Sequence, residues 1–238
     1  MKNKLYLTFT ILIGFYLKIY AQDLQGQRLY SGDIQNISFF QYPIGVQIKA
    51  ILQSESQAKC IFSEDLMLSV MSCTDATWEA YHTLGGLENA EIKSTEHYGF
   101  IKTMNKDKNY FELKHKFEFK IANVPTAIIK FYLITEQSPL PQAGVLTMQK
   151  IDGRWQKCSM KMFSKMAMLA LRLRSDKLQK IIDGSDEDSY LKEIKGRIQT
   201  NGKLDFDKLS AEIDSWYMAD SKANKAKKEY FKDPNSFL

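Results

Sequence analysis

Cysteine, proline and glycine are all scarce in this 238-residue chain, which holds three, five and twelve of them respectively. Three cysteines are too few for a disulfide scaffold, and so little glycine and proline excludes a collagen-like or low-complexity chain. Cys60, Cys73 and Cys158 form no CxxC or zinc-type pair, and an odd number allows at most one internal bridge. Two readings stay open for them: buried free thiols, or a Cys60–Cys73 bridge between a strand end and a helix. The three histidines, His82, His97 and His115, make neither HExxH nor HxH, so no metal set is expected from motif. There is no GxSxG elbow, glycine-rich phosphate loop or paired-glycine fingerprint, so no cofactor and no motif-borne catalytic residue is expected. Asn201–Phe206 has the outline of half a calcium loop, but Arg197, Gln199 and Lys208 stand where calcium requires oxygen ligands, and that reading is rejected. The acids Asp183, Asp186, Glu187 and Asp188 read as a solvated helix start.

Charge of one sign is also lacking. The formal net charge is +5, but Lys2, Lys4 and Lys18 precede residue 22 with no acid among them. Without that stretch, 30 basic side chains face 28 acidic ones, too even a balance to draw nucleic acid. No segment reaches the ~20 apolar residues that a spanning helix needs. The longest apolar run, Leu5–Leu17, follows Lys2 and Lys4 and precedes Ala21, the pattern of a secretory signal over residues 1–21. The mature chain is then expected to be secreted or periplasmic, with no stable membrane insertion after signal removal.

What is present is clear periodicity. A short strand is expected at Ile34–Phe40 and a second over Gly45–Leu52, where positions 46, 48, 50 and 52 are apolar. Ser63-Glu64-Asp65 reads as a helix start carrying Leu66, Met67 and Val70, and Thr74-Asp75 as another, with Trp78, Tyr81 and His82 one turn apart and Gly85-Gly86 as the stop. From Ala90 to Met160 the period is two. Glu91–Met104, Asn109–Ile121, Ala127–Thr135, Gly144–Ile151 and Arg154–Ser159 read as an antiparallel meander, with His97 in its first strand. Phe111, Leu113, His115, Phe117, Phe119 and Ile121 are expected to share one apolar face, and Glu112, Lys114, Lys116, Glu118 and Lys120 a wet one. The helices at 63–84 are the expected lid. Beyond Ser159 helices follow near Ser164–Arg174, from Ser185 and from Asp205, with Ser221–Lys232 a solvated helix or loose tail.

The fold class expected is therefore α+β: N-terminal helices on a curved antiparallel sheet of four to five strands, then an all-helical C-terminal tail. Its parts are 1–21 (signal), 22–160 (sheet domain) and 161–238 (helical extension). His115 is the leading candidate residue, as a ring on an otherwise apolar strand face, either an acid, base or ligand donor in a cavity or a hydrogen-bonded core histidine. Phe117, Trp78 and His82 are its candidate companions, with His82 equally readable as a helix surface residue.

The Trp-bearing helix Asp75-Ala76-Thr77-Trp78, and the strand Val145–Ile151 joined through Asp152-Gly153 to Arg154-Trp155, resemble the NTF2-like/cystatin-like α+β group over about residues 60–160. The Ala21-Gln22 junction resembles those of exported proteins of Bacteroidota-type bacteria. The first resemblance implies a cavity between helices and sheet, used for binding in some members and catalysis in others, with His115 a candidate lining residue. Three functions follow: a non-enzymatic module binding a small molecule, peptide or partner protein; a small cavity enzyme using His115; or an assembly subunit docking through Phe206, Leu209, Ile213 and Trp216.

Overall fold

The computed structural model describes residues 34–158, 164–184, 187–218 and 221–237. The expected signal segment and the chain around Met160 and Ser185 lie outside the described residues. The architecture is α+β, built on one six-stranded antiparallel sheet. Its strands are β1 (Ile34–Gln41), β2 (Gln47–Lys49), β3 (Tyr110–Ile121), β4 (Val124–Ile134), β5 (Gln142–Ile151) and β6 (Arg154–Lys157). The order is β1-β3-β4-β5-β6, with β2 beside the first half of β3. The sheet exceeds the expected four to five strands because β1 and β2, which precede every helix, pair with β3. β4 and β5 pair without a register shift, and Asp152-Gly153 turns the last hairpin with both residues at positive φ.

Among the described residues, eight α-helices accompany the sheet. Three precede β3: α1 (Ser63–Ser72), α2 (Ala76–Tyr81) and α3 (Thr95–Thr103). Five follow β6: α4 (Ser164–Arg172), α5 (Ser175–Asp183), α6 (Ser189–Lys195), α7 (Phe206–Met218) and α8 (Lys222–Phe231). The α1 start is not capped by Ser63 as expected. Asp65 Oδ2 instead accepts from the backbone N–H groups of Ile61 and Phe62, while the Ser63 hydroxyl donates to Glu64. At α3 the expectation of a strand with His97 in it is corrected. Ser94 accepts from the His97 N–H at 3.2 Å and starts a helix, and burying Tyr98 with Phe100 and Ile101 against the core needs helical spacing.

The sheet is covered on both faces, so the expected wet face does not exist. The second cover is α4–α8, and a bulge in β3 hands its apolar residues from one face to the other. Between the pairs Leu113↔Phe131 and His115↔Lys130, β3 advances two residues while β4 advances one, leaving Lys114 unopposed. An extra residue reverses which parity faces which way. Phe111 and Leu113 therefore pack with Leu66, Met67, Met71, Ile129 and Trp155 under α1. Phe117 and Phe119, of the same parity, pack with Ile37, Phe39 and Ile128 under α4–α8. The lysines that looked solvated are taken up locally. Lys114 pairs with Glu112 at 2.6 Å and lies over the Tyr132 ring, and Lys116 reaches Glu64 at 2.9 Å on the α1 side.

The C-terminal helices share one apolar cluster with the sheet, and Phe206, Leu209, Ile213 and Trp216 are all buried in it. The stretch from Ser221 is a docked helix, a correction to the loose or solvated tail. Phe231 is fully buried and stacks on Trp216 with ring centroids 4.9 Å apart. The region is not all helical: Asn201-Gly202, both at positive φ, turn a hairpin between β7 (Gln199–Thr200) and β8 (Lys203–Leu204).

Candidate functional site

A cavity of about 890 Å³ opens between α1–α3 and the sheet. Val70, Met71, Phe100, Ile101, Phe111 and Leu133 give it apolar walls, and Cys73, Glu79, His97 and Lys157 bring polar groups to it. The polar part is built by the sharp passage from α1 into α2. Cys73 ends α1, and Asp75 starts α2 by accepting the Trp78 N–H at 2.9 Å. One turn of helix then sets Glu79 and His82 on a common side. The end of α2 is stitched to β6, since Lys157 N–H donates to the His82 carbonyl and Leu84 N–H to the Lys157 carbonyl, both at 2.8 Å.

Three donor atoms converge there. Glu79 Oε2 lies 3.6 Å from Cys73 Sγ and 3.4 Å from His82 Nε2, and all three residues are buried. The other Glu79 oxygen is held by the Lys157 ammonium. Burial alone would raise the Glu79 carboxyl, but the His82 ring at 3.4 Å and the Lys157 ammonium outweigh it and hold it at about 2. Burial pushes the Cys73 thiol up to about 12, helped by the Glu79 charge against a backbone hydrogen bond from Asp75, so the thiol is not a ready nucleophile. His82 Nδ1 faces Ser69 Oγ at 3.2 Å, and Ser69 in turn accepts the Trp78 indole N–H at 2.8 Å. His82 Nε2 has no hydrogen-bond partner although the ring is wholly enclosed.

Of the residues singled out by sequence, His82 and Trp78 fall in this cluster. His82 is therefore no surface residue, and Trp78 serves as the support behind it. His115 and Phe117 lie on the opposite face of the sheet, beneath α4–α8, and do not line the cavity. His115 Nδ1 is 2.7 Å from Ser175 Oγ, and Ser175 borders a shallow hollow of about 330 Å³. A serine beside a histidine suggests a nucleophile and its base. Here burial, aided by the Lys130 charge, drives the imidazole well below its ordinary 6.5, and no carboxylate meets its Nε2. A base so weakened does not activate the hydroxyl.

The same depression has a thermodynamic consequence. The unfolded histidine takes up a proton near pH 6.5 while the folded one stays neutral, so stability is intact above that pH and is lost as pH falls below it. The expected slope is up to about 1.4 kcal/mol per pH unit, read from urea midpoints on both sides of the transition. His115→Phe is expected to flatten it; an unchanged slope would place the titration elsewhere.

Sequence reasoning missed Glu79 and Cys73. The only signal was Glu79 and His82 at a three-residue spacing, with Cys73 beyond a helix break that hides its proximity. All three cysteines are free thiols, so the Cys60–Cys73 alternative gives way to the unbridged one. Among the described residues no helix is long and apolar enough to cross a membrane. Comparison with protein-family models, with curated proteins and with solved structures finds no match.

Proposed function

We propose that this is an exported binding protein that takes a small molecule, apolar in body and polar at one end, in the cavity beneath α1–α3. The observation that carries the reading is the cavity itself. At about 890 Å³ it is within the ~300–1,000 Å³ of small-molecule sites, with largely apolar walls and a few convergent polar groups. A space between helices and an antiparallel sheet is also what the resemblance to the NTF2-like group implies. An enzymatic reading through His115 draws no support from its position, and the residues offered for docking onto a partner, Phe206, Leu209, Ile213 and Trp216, are occupied within the chain's own core.

The test uses anilinonaphthalene sulfonate, a fluorescent probe with an apolar body and one anionic end. The native protein is expected to bind one equivalent with enhanced emission, and Leu133→Trp, which fills the cavity from β4, to weaken binding at least tenfold. Equal binding by the variant would show that the dye lies elsewhere and would overturn the reading. A natural ligand at a hundredfold excess over its Kd should stabilise the fold by ~2.7 kcal/mol, which thermal-shift screening against metabolites detects.

A further inference from the structure

We propose that Cys73, Glu79 and His82 form a binding site for one zinc ion, with the fourth coordination position open to the cavity. The spacing is the first argument. Ligands at ~2.0–2.3 Å around a tetrahedral zinc lie ~3.3–3.8 Å from one another. Glu79 Oε2 stands 3.4 Å from His82 Nε2 and 3.6 Å from Cys73 Sγ, and all three donor atoms lie within 4.8 Å of one another. One sulfur, one nitrogen and one oxygen suit a borderline-soft cation over calcium or magnesium, which prefer oxygen alone.

The second argument is the enclosed His82 Nε2. A buried ring nitrogen without a hydrogen bond is costly, and here it points at a carboxylate and a thiol too poorly aligned to satisfy it. An ion between the three groups would satisfy it. The third is that each ligand is steadied from behind. Ser69, itself held by Trp78, addresses His82 Nδ1, and Lys157 holds Glu79 Oε1 and leaves Oε2 to face Cys73 and His82. Such outer contacts set the tautomer and aim of metal ligands. On binding, the zinc–sulfur bond replaces the Cys73 S–H bond, and the proton leaves to solvent. The other two ligands bind as neutral imidazole and carboxylate. Cys73 and Glu79 both reach the cavity, which supplies the entry path and the open position. The site stands whether or not the cavity also takes an organic molecule.

The probe is cobalt(II) added to the full, metal-stripped protein without organic ligand. One equivalent is expected to give the intense visible bands of tetrahedral cobalt and a near-ultraviolet thiolate charge-transfer band, both abolished by one equivalent of zinc. Cys73→Ser should remove the charge-transfer band, and His82→Gln should weaken zinc binding at least tenfold in competition with a chromophoric chelator. Ser69→Ala, which leaves all three ligands in place, should cost ~10-fold in affinity and keeps the test decisive if a ligand variant does not fold. Cys158→Ser, also at the cavity wall, should bind as the native protein does. A native protein that yields no tetrahedral spectrum, or a charge-transfer band that survives Cys73→Ser, would overturn the proposal.

Discussion

Lys130→Ala is expected to destabilise the fold by about 3–5 kcal/mol, a loss that urea denaturation resolves easily. Lys130 is wholly buried on β4, and its ammonium pairs with the equally buried Asp233 carboxylate just after α8. It also donates to the carbonyls of Leu173 at 2.6 Å and Leu171 at 3.3 Å, at the negative end of α4. Tyr132 completes the arrangement by donating to Asp233 at 2.8 Å. Burial drags the ammonium down to about 8 against the opposing pull of Asp233, so it is charged at neutral pH. Truncation would leave a buried carboxylate without its cation, facing the Tyr132 hydroxyl and the Asn235 N–H. Removing both charges, as in Lys130→Met with Asp233→Leu, is expected to cost far less than the single change, since an apolar pair leaves nothing unpaired. A single variant within about 1 kcal/mol of native would show the pair to be idle.

Deleting Lys114 is expected to leave a folded protein, at a cost of about 1–2 kcal/mol for the lost Glu112 pair and Tyr132 contact. Lys114 is the residue by which β3 outruns β4, so without it Leu113↔Phe131 and His115↔Lys130 become successive pairs of a regular ladder and every side chain keeps its layer. An alanine inserted between Phe117 and Glu118, in the regular part of the strand, is expected to do the opposite. It would turn Phe119 and Ile121 to the other layer, at ~1.5–3 kcal/mol per apolar side chain displaced. Near-ultraviolet circular dichroism with a thermal melt reads both variants. A deletion variant that fails to fold, or an insertion variant that melts near the native temperature, would refute the role given to the bulge.

That bulge marks where the sequence stops being legible. The run Phe111–Ile121 announces a strand unmistakably, and β4, β5 and β6 follow with boundaries close to those expected, because two-residue periodicity is written in the chain. The alternation stays unbroken through Lys114, however, and a bulge that preserves parity in sequence while reversing it in space leaves no mark on the pattern. One apolar face was therefore expected where there are two. The charged residues misled for a related reason: Lys116 looks solvated until Glu64, some fifty residues upstream, is brought against it. In the candidate site, the Asp75 start and Trp78 were readable from local capping. The meeting of Cys73 with Glu79 and His82 was not, because it depends on the angle between two short helices. At α3, Tyr98 and Phe100 alone keep a period of two, while Tyr98 and Ile101 stand one helical turn apart, and the Ser94 cap starts the helix.

The second cover of the sheet is made from residues synthesised after the sheet itself. α8 and the residues after it lock the assembly through Asp233 N–H to the Arg172 carbonyl, Arg174 N–H to the Phe231 carbonyl and Ala143 N–H to the Asn235 carbonyl. At ~5–20 residues per second, the roughly 70 residues between β6 and α8 take about 4–15 s to appear. Throughout that time β3–β5 can form, but Phe117, Phe119 and Ile128 stand bare to water. The growing chain thus passes through a seconds-long age in which it is half-clothed and adhesive, an age that ends only when residue 235 has cleared the ribosome.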